Sequence, residues 1–208
     1  LPLFVTKFIA KYPEVSLVIQ ELLSHEIVDK MNNDLLDLGI LVTPLNESSI
    51  VEIPLFYESF VVYMSTSHPL SDKNSLSFSD LDISEMWLLK EGHCFRSQAI
   101  NICGDEQKTE ETNHLRFESG SLETLRRIVE RQFGYTLLPE LATMDIDETR
   151  QKYIKTFSKP RPVREVSLVI HRKFMKRRLI DLLKEEILAN IPESIRSNKK
   201  ERVINWTE

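Results

Sequence analysis

Ser121-Leu-Glu-Thr-Leu-Arg-Arg-Ile-Val-Glu-Arg-Gln-Phe133 runs directly into Gly134-Tyr-Thr-Leu-Leu-Pro139. Leu122, Leu125, Ile128 and Val129 fall on one face at helical spacing, and Gly134 stands where such a helix stops. Tyr135–Pro139 then reads as the end of a strand. A helix feeding a strand through one glycine is half of a wound α/β unit, and the rest of the chain repeats the alternation.

Upstream, Leu3, Phe4, Phe8 and Ile9 share a helical face that Tyr12-Pro13 ends, Val15–Ile19 reads as a strand, and Ser24 as the N-cap of a short helix over 26–33. Leu38–Val42 is an apolar run of the kind found inside a parallel sheet. Ile50–Tyr57 and Phe60–Met64 read as strands, Ser77–Leu81 as a short capped helix, and Trp87–Lys90 as a strand. That strand leads into a helix over Cys94–Cys103, with Phe95, Ala99 and Ile102 on one side. Downstream, His114–Glu118, Lys155–Lys159 and Val163–Ile170 read as extended. Phe174–Ala189 is an amphipathic helix and Ser197–Glu208 a frayed polar tail. The fold class is α/β, doubly wound, and 208 residues in two such series predict two small subdomains with a cleft.

Composition removes several functions. Five scattered glycines in 208 residues cannot build the clustered turns of a dinucleotide fingerprint or a P-loop. A net charge of −5 gives no overall field for DNA, RNA or anionic lipid, and the basic clusters at 176–178 and 199–202 have acidic residues close by. No apolar run approaches the roughly 18 residues of a membrane span. Leu1 opens directly into folded-looking sequence without an initiator Met, so the chain reads as a piece of something longer. Two cysteines are too few for a thiolate zinc site and lack the Cys-x-x-Cys spacing of a thioredoxin-type site. No metal and no cofactor are expected, and the cytoplasm is the expected compartment.

The chemistry gathers in Gly92-His93-Cys94-Phe95-Arg96-Ser97-Gln98. A thiol beside a histidine, two positions from an arginine and at the start of a helix is favoured as thiolate. Cys103 follows nine positions on, in a more apolar stretch. The plainer reading is two semi-buried structural cysteines, with Ser24 only a cap, Arg96 a surface ion pair and His93 a loop residue.

This segment resembles the redox-active segment of the hydrogen-peroxide-sensing LysR-type transcriptional regulators. Leu1-Pro2 with Tyr12-Pro13, Glu52-Ile-Pro-Leu-Phe56, Ser121–Arg126 with Gly134–Pro139, and Lys159-Pro-Arg-Pro162 followed by Arg164 are similar to the same family's effector domain. The resemblance implies a periplasmic-binding-protein-like domain with two crossover strands. Its subdomains would be 1–58 plus 165–208, and 59–164. It implies that Cys94 reacts with peroxide and that Cys103 resolves the product as a disulfide. His93, Arg96, Ser24 (where relatives usually carry Thr) and Arg164 would stabilise peroxide and thiolate. Ser97 stands where relatives often have Asp. Implied partners are hydrogen peroxide, a second copy (a tetramer at full length), a glutathione- or glutaredoxin-type reductant, and DNA through a helix-turn-helix outside this chain. The result would be a redox switch activating antioxidant genes, not an enzyme. On one helix, nine residues put the two cysteines roughly 13.5 Å apart, so a disulfide would require that helix to unravel. Two other functions compete. One is a domain binding a small organic anion at Ser119, Ser121 and the helix N-terminus, with idle cysteines. The other is a thiol peroxidase turning over with an external reductant.

Overall fold

The structure is a computed structural model that describes residues 2–103, 119–196 and 202–204. In chain order the helices are α1 (Val5–Lys11), α2 (Ser24–Asn32), α3 (Cys94–Cys103), α4 (Leu122–Val129), α5 (Arg177–Asn190) and α6 (Glu193–Arg196). The strands are β1 (Gly39–Thr43), β2 (Ile50–Met64), β3 (Ser75–Leu76), β4 (Tyr135–Pro139), β5 (Ile154–Phe157), β6 (Pro162–His171) and β7 (Arg202–Val203). The chain divides into two compact units, Leu1–Tyr57 with Glu165–Lys199, and Glu58–Arg164 with Lys200–Glu208. Strands β2 and β6 each run from one unit into the other.

In the first unit β1 pairs antiparallel with β6, Gly39 opposite Val169 and Thr43 opposite Glu165. The apolar run at 38–42 is therefore a strand with an antiparallel neighbour, not the parallel one expected. Gly39 lets α2 and β6 close on the strand, because a Cβ there would lie 2.9 Å from Ile27 and 3.0 Å from Val169. Phe8 of α1 is fully buried, as the periodicity requires, and Lys11 ties α1 to Glu186 of α5 at 3.2 Å. Two expectations fail here. Val15–Ile19 forms no strand, and Val18 stands exposed: apolar alternation marks a segment able to pair, but pairing needs a partner edge. Ser24 is the first residue of α2, not its cap. Leu23 holds the cap position, and its N–H donates to the Glu26 carboxylate at 2.7 Å.

In the second unit the later half of β2 pairs antiparallel with β4 (Phe60 to Pro139) and with β5 (Val61 to Thr156), and β3 runs parallel to β5. The two strands expected at 50–57 and 60–64 are one continuous strand. Among the described residues the expected strand Trp87–Lys90 makes one isolated bridge, Leu89 to Ser119, and the preceding Met86 makes another to Tyr135. His114–Glu118 lies outside the described residues. Helix α4 is capped by the Ser121 side chain and covers its apolar positions Leu122 to Val129 but stops short of the Ser121–Phe133 span expected, while β4 matches its expected span. Gly134, at φ +109°, makes the tight reversal into β4: a Cβ there would sit 2.4 Å from the Glu85 carbonyl. The core joins Phe60, Val62, Met64, Leu76, Leu125, Tyr135 and Leu137 to Phe95, Ala99 and Ile102 of α3. The tail expected to fray instead supplies β7, parallel to β6, and buries Ile204 in this core. Among the described residues no helix is long and apolar enough to cross a membrane.

Candidate functional site

Helix α3 begins at Cys94 and ends at Cys103, and both carry free thiols. Phe95, Ala99 and Ile102 recur at helical spacing and anchor one face in the core, with the Phe95 ring 5.4 Å from that of Phe60. Nine residues of helix separate the cysteine Cα atoms by roughly 13.5 Å. A disulfide needs about 4.4–6.8 Å. The folded helix therefore holds the two thiols apart.

The two ends differ. Cys103 packs against the core, and burial, reinforced by the nearby Asp82 carboxylate, pushes its thiol up to about 12. At neutral pH it is protonated and a poor nucleophile. Cys94 is half-buried at the first turn of α3, where the Arg96 N–H donates to the His93 carbonyl at 2.9 Å. Gly92, at φ +88°, turns the chain into this end.

His93 is tucked toward Gly120, where a Cβ would lie 3.5 Å from its Nε2. That nitrogen is buried and has no hydrogen-bond partner among the described residues. Burial, and secondarily the Lys90 charge, hold the His93 pKa below the ordinary histidine value. That shift disfavours the imidazolium form expected from the sequence as a second cation beside Cys94. Arg96 lies in the first turn, and its Nη1 donates to the Leu89 carbonyl at 3.0 Å, tying the helix start to the preceding segment.

Arg164, on β6, is committed to Glu58. Its Nε and Nη2 donate to one carboxylate oxygen at 2.9 and 2.7 Å, and its guanidinium carbon lies 5.5 Å from the Phe95 ring centroid. The second unit thus brings His93, Cys94, Arg96 and Arg164 to the N-terminal part of α3. Ser24 belongs to the first unit. Ser119 and Ser121, the sequence's candidates for an organic anion, have local partners. Ser119 Oγ accepts from the Ser121 N–H at 3.1 Å, and Ser121 Oγ caps α4 by accepting from Thr124. Among the described residues no group of three or more His, Cys, Asp or Glu side chains could hold a metal ion.

Two residues escaped the sequence reading. Glu58 is an acid inside an apolar strand, which was a visible signal for a buried counter-ion. Gln98 lies on the buried face with Phe95 and Ile102, three positions after one and four before the other, yet is polar and fully buried. A polar residue on an apolar helical stripe marks a specific hydrogen bond.

Residues 1–191 match the family described as LysR substrate binding domain. The hydrogen peroxide-inducible genes activator of Haemophilus influenzae is 33% identical over 171 residues, covering 81% of this chain and 55% of that protein. The chain spans about half the length of the curated relatives it matches. The reduced form of the OxyR regulatory domain from Pseudomonas aeruginosa superposes with a TM-score of 0.77 at 31% identity, covering 90% of each chain. OxyR from Porphyromonas gingivalis gives a TM-score of 0.88 over 98% of this chain and 92% of that one. At 23% identity that match bears on the fold. The α/β architecture expected from the sequence, of the periplasmic-binding-protein-like kind, is the fold these domains share.

Proposed function

Because the chain belongs to the LysR substrate binding domain family, we propose that it is the peroxide-sensing regulatory part of a LysR-type transcription regulator. One observation carries the reading: a single helix with a free thiol at each end, one at its N-terminus beside an imidazole whose buried Nε2 has no partner among the described residues, the other packed against the core and protonated. The names of the relatives point the same way.

In this reading the Cys94 thiolate attacks one peroxide oxygen. An S–O bond forms, the O–O bond breaks, and the departing hydroxide takes a proton to leave as water. Cys94 is now a sulfenic acid. The Cys103 sulfur then attacks the Cys94 sulfur, the S–O bond breaks, and a second water leaves with the Cys103 proton. Peroxide is small and neutral, so a few donors and acceptors suffice. Arg96 supplies positive charge to the thiolate and the departing hydroxide. His93 offers its Nε2 as a hydrogen-bond partner. Arg164 acts through Phe95, holding the helix start in place. The domain switches once per oxidation and is not a turning-over enzyme. A glutathione- or glutaredoxin-type thiol resets it in the cytoplasm. It pairs with a second copy, forms a tetramer at full length, and reaches DNA through a helix-turn-helix outside this chain. Oxidation alters that pairing and activates antioxidant genes.

Thiol titration before and after one equivalent of hydrogen peroxide tests this. Loss of both thiols with an internal disulfide is expected. Retention of both would overturn the reading, and continued peroxide consumption with dithiothreitol would make the domain a peroxidase.

A further inference from the structure

The C-terminal segment is docked onto the helix that carries both thiols. Arg202 N–H donates to the Arg161 carbonyl at 3.0 Å and Ile204 N–H to the Val163 carbonyl at 2.8 Å, which makes β7 an added edge of β6. The Ile204 side chain is buried in the core with Phe95, Ala99 and Ile102, and Cys103 packs against the same cluster. On its other side, the Ile204 carbonyl accepts a hydrogen bond from Gln98 Nε2 at 3.1 Å. Arg202 lies 4.7 Å from the Phe78 ring centroid. Gln98 is fully buried, and among the described residues its Oε1 has no partner, so the bond from its Nε2 to the tail is what holds the amide in place.

We infer that β7 is a latch on the redox helix, released when Cys94 and Cys103 join. The inference rests on the redox reading above. Gln98 lies four residues after Cys94 and five before Cys103, so it sits in the middle of the segment that must be rebuilt for the cysteine Cα atoms to approach. The helical turn that aims its amide at Ile204 cannot survive that change. Neither can the arrangement of Phe95, Ala99 and Ile102 that closes over the Ile204 side chain. Two hydrogen bonds to β6 and one cation–π contact are then a weak hold for a two-residue strand at a sheet edge. By linkage the coupling is reciprocal: a docked tail opposes the disulfide by the same factor by which the disulfide loosens the tail. The tail therefore sets how oxidising the surroundings must be before the switch closes, and its release offers a second, distant readout of oxidation.

Amide exchange on the unaltered protein tests the latch. The Arg202 and Ile204 amides are expected to be protected in reduced protein and to exchange about 10-fold faster or more once the disulfide has formed. Disulfide formation with their protection unchanged would overturn the latch. In the Ile204→Ser variant, reduced, the amides of residues 98–103 should exchange faster. The ratio of oxidised to reduced protein in a fixed dithiothreitol buffer should rise about 5-fold, the worth of a typical hydrogen bond. An unaltered α3 in that variant would also overturn the proposal. If peroxide removes no thiols, the redox reading fails and the release step with it, while exchange of α3 in reduced Ile204→Ser still decides whether the tail holds the helix.

Discussion

Arg164 meets a single oxygen of Glu58 through two N–H donors, at 2.9 and 2.7 Å, and the Glu58 side chain is only 2% exposed. The other carboxylate oxygen accepts the Leu141 N–H at 2.9 Å. Both oxygens are therefore satisfied, and the pair joins β2 to β6 across 106 residues of sequence.

Removing one partner should cost more than removing both. Glu58→Gln leaves Arg164 as a half-buried cation without its counter-charge, and a loss of about 3–5 kcal/mol is expected in urea unfolding. Glu58→Gln combined with Arg164→Met should recover part of that loss. A single-variant loss below about 1 kcal/mol would show that the pair is solvated.

Neutral His93 gives a signed pH dependence. Its pKa is lowered in the fold, so the unfolded chain binds the proton more readily. The stability tied to neutral His93 is thus complete above the ordinary histidine value of about 6.5 and is lost as pH falls below it. Imidazole titration by NMR should find His93 below 6.5. Lys90→Met should raise it, yet leave it below 6.5, because burial is the larger cause. A His93 pKa at or above 6.5 in the unaltered protein would contradict the packing against Gly120.

Protonated Cys103 predicts an asymmetry in alkylation. The Cys94→Ser protein, retaining only Cys103, should react slowly with iodoacetamide from pH 6 to 9, since its thiol is pushed up to about 12. The Cys103→Ser protein should react faster throughout that range. Equal rates at pH 7 would mean that the core does not shield Cys103 in solution.

Gly134→Ala should damage the fold without touching the cysteines. The backbone there stands at φ +109°, and the new methyl would meet the Glu85 carbonyl at 2.4 Å. A penalty of about 1–3 kcal/mol for the backbone alone, with the clash added, should appear as a lower Tm. An unchanged Tm would show that the turn relaxes freely.

The sequence by itself determined the elements whose signal is local. Helical spacing of Phe95, Ala99 and Ile102 between the two cysteines marked α3 at both ends, and Gly134 with its flanking apolar residues marked β4. The constellation of His93, Cys94, Arg96 and Cys103 was legible for the same reason, since its members are neighbours in the chain. Tertiary structure alone decided what depends on partners distant in sequence. Val15–Ile19 has the pattern of a strand but no pairing, while Arg202–Val203, read as frayed, finds the edge of β6 and becomes one. Glu58 finds Arg164, Gln98 finds Ile204, and burial lowers the His93 pKa because of what surrounds it. Periodicity states which face of a segment is apolar; which neighbour covers that face, and how much water is left around a charge, follows only from the packing of the whole unit.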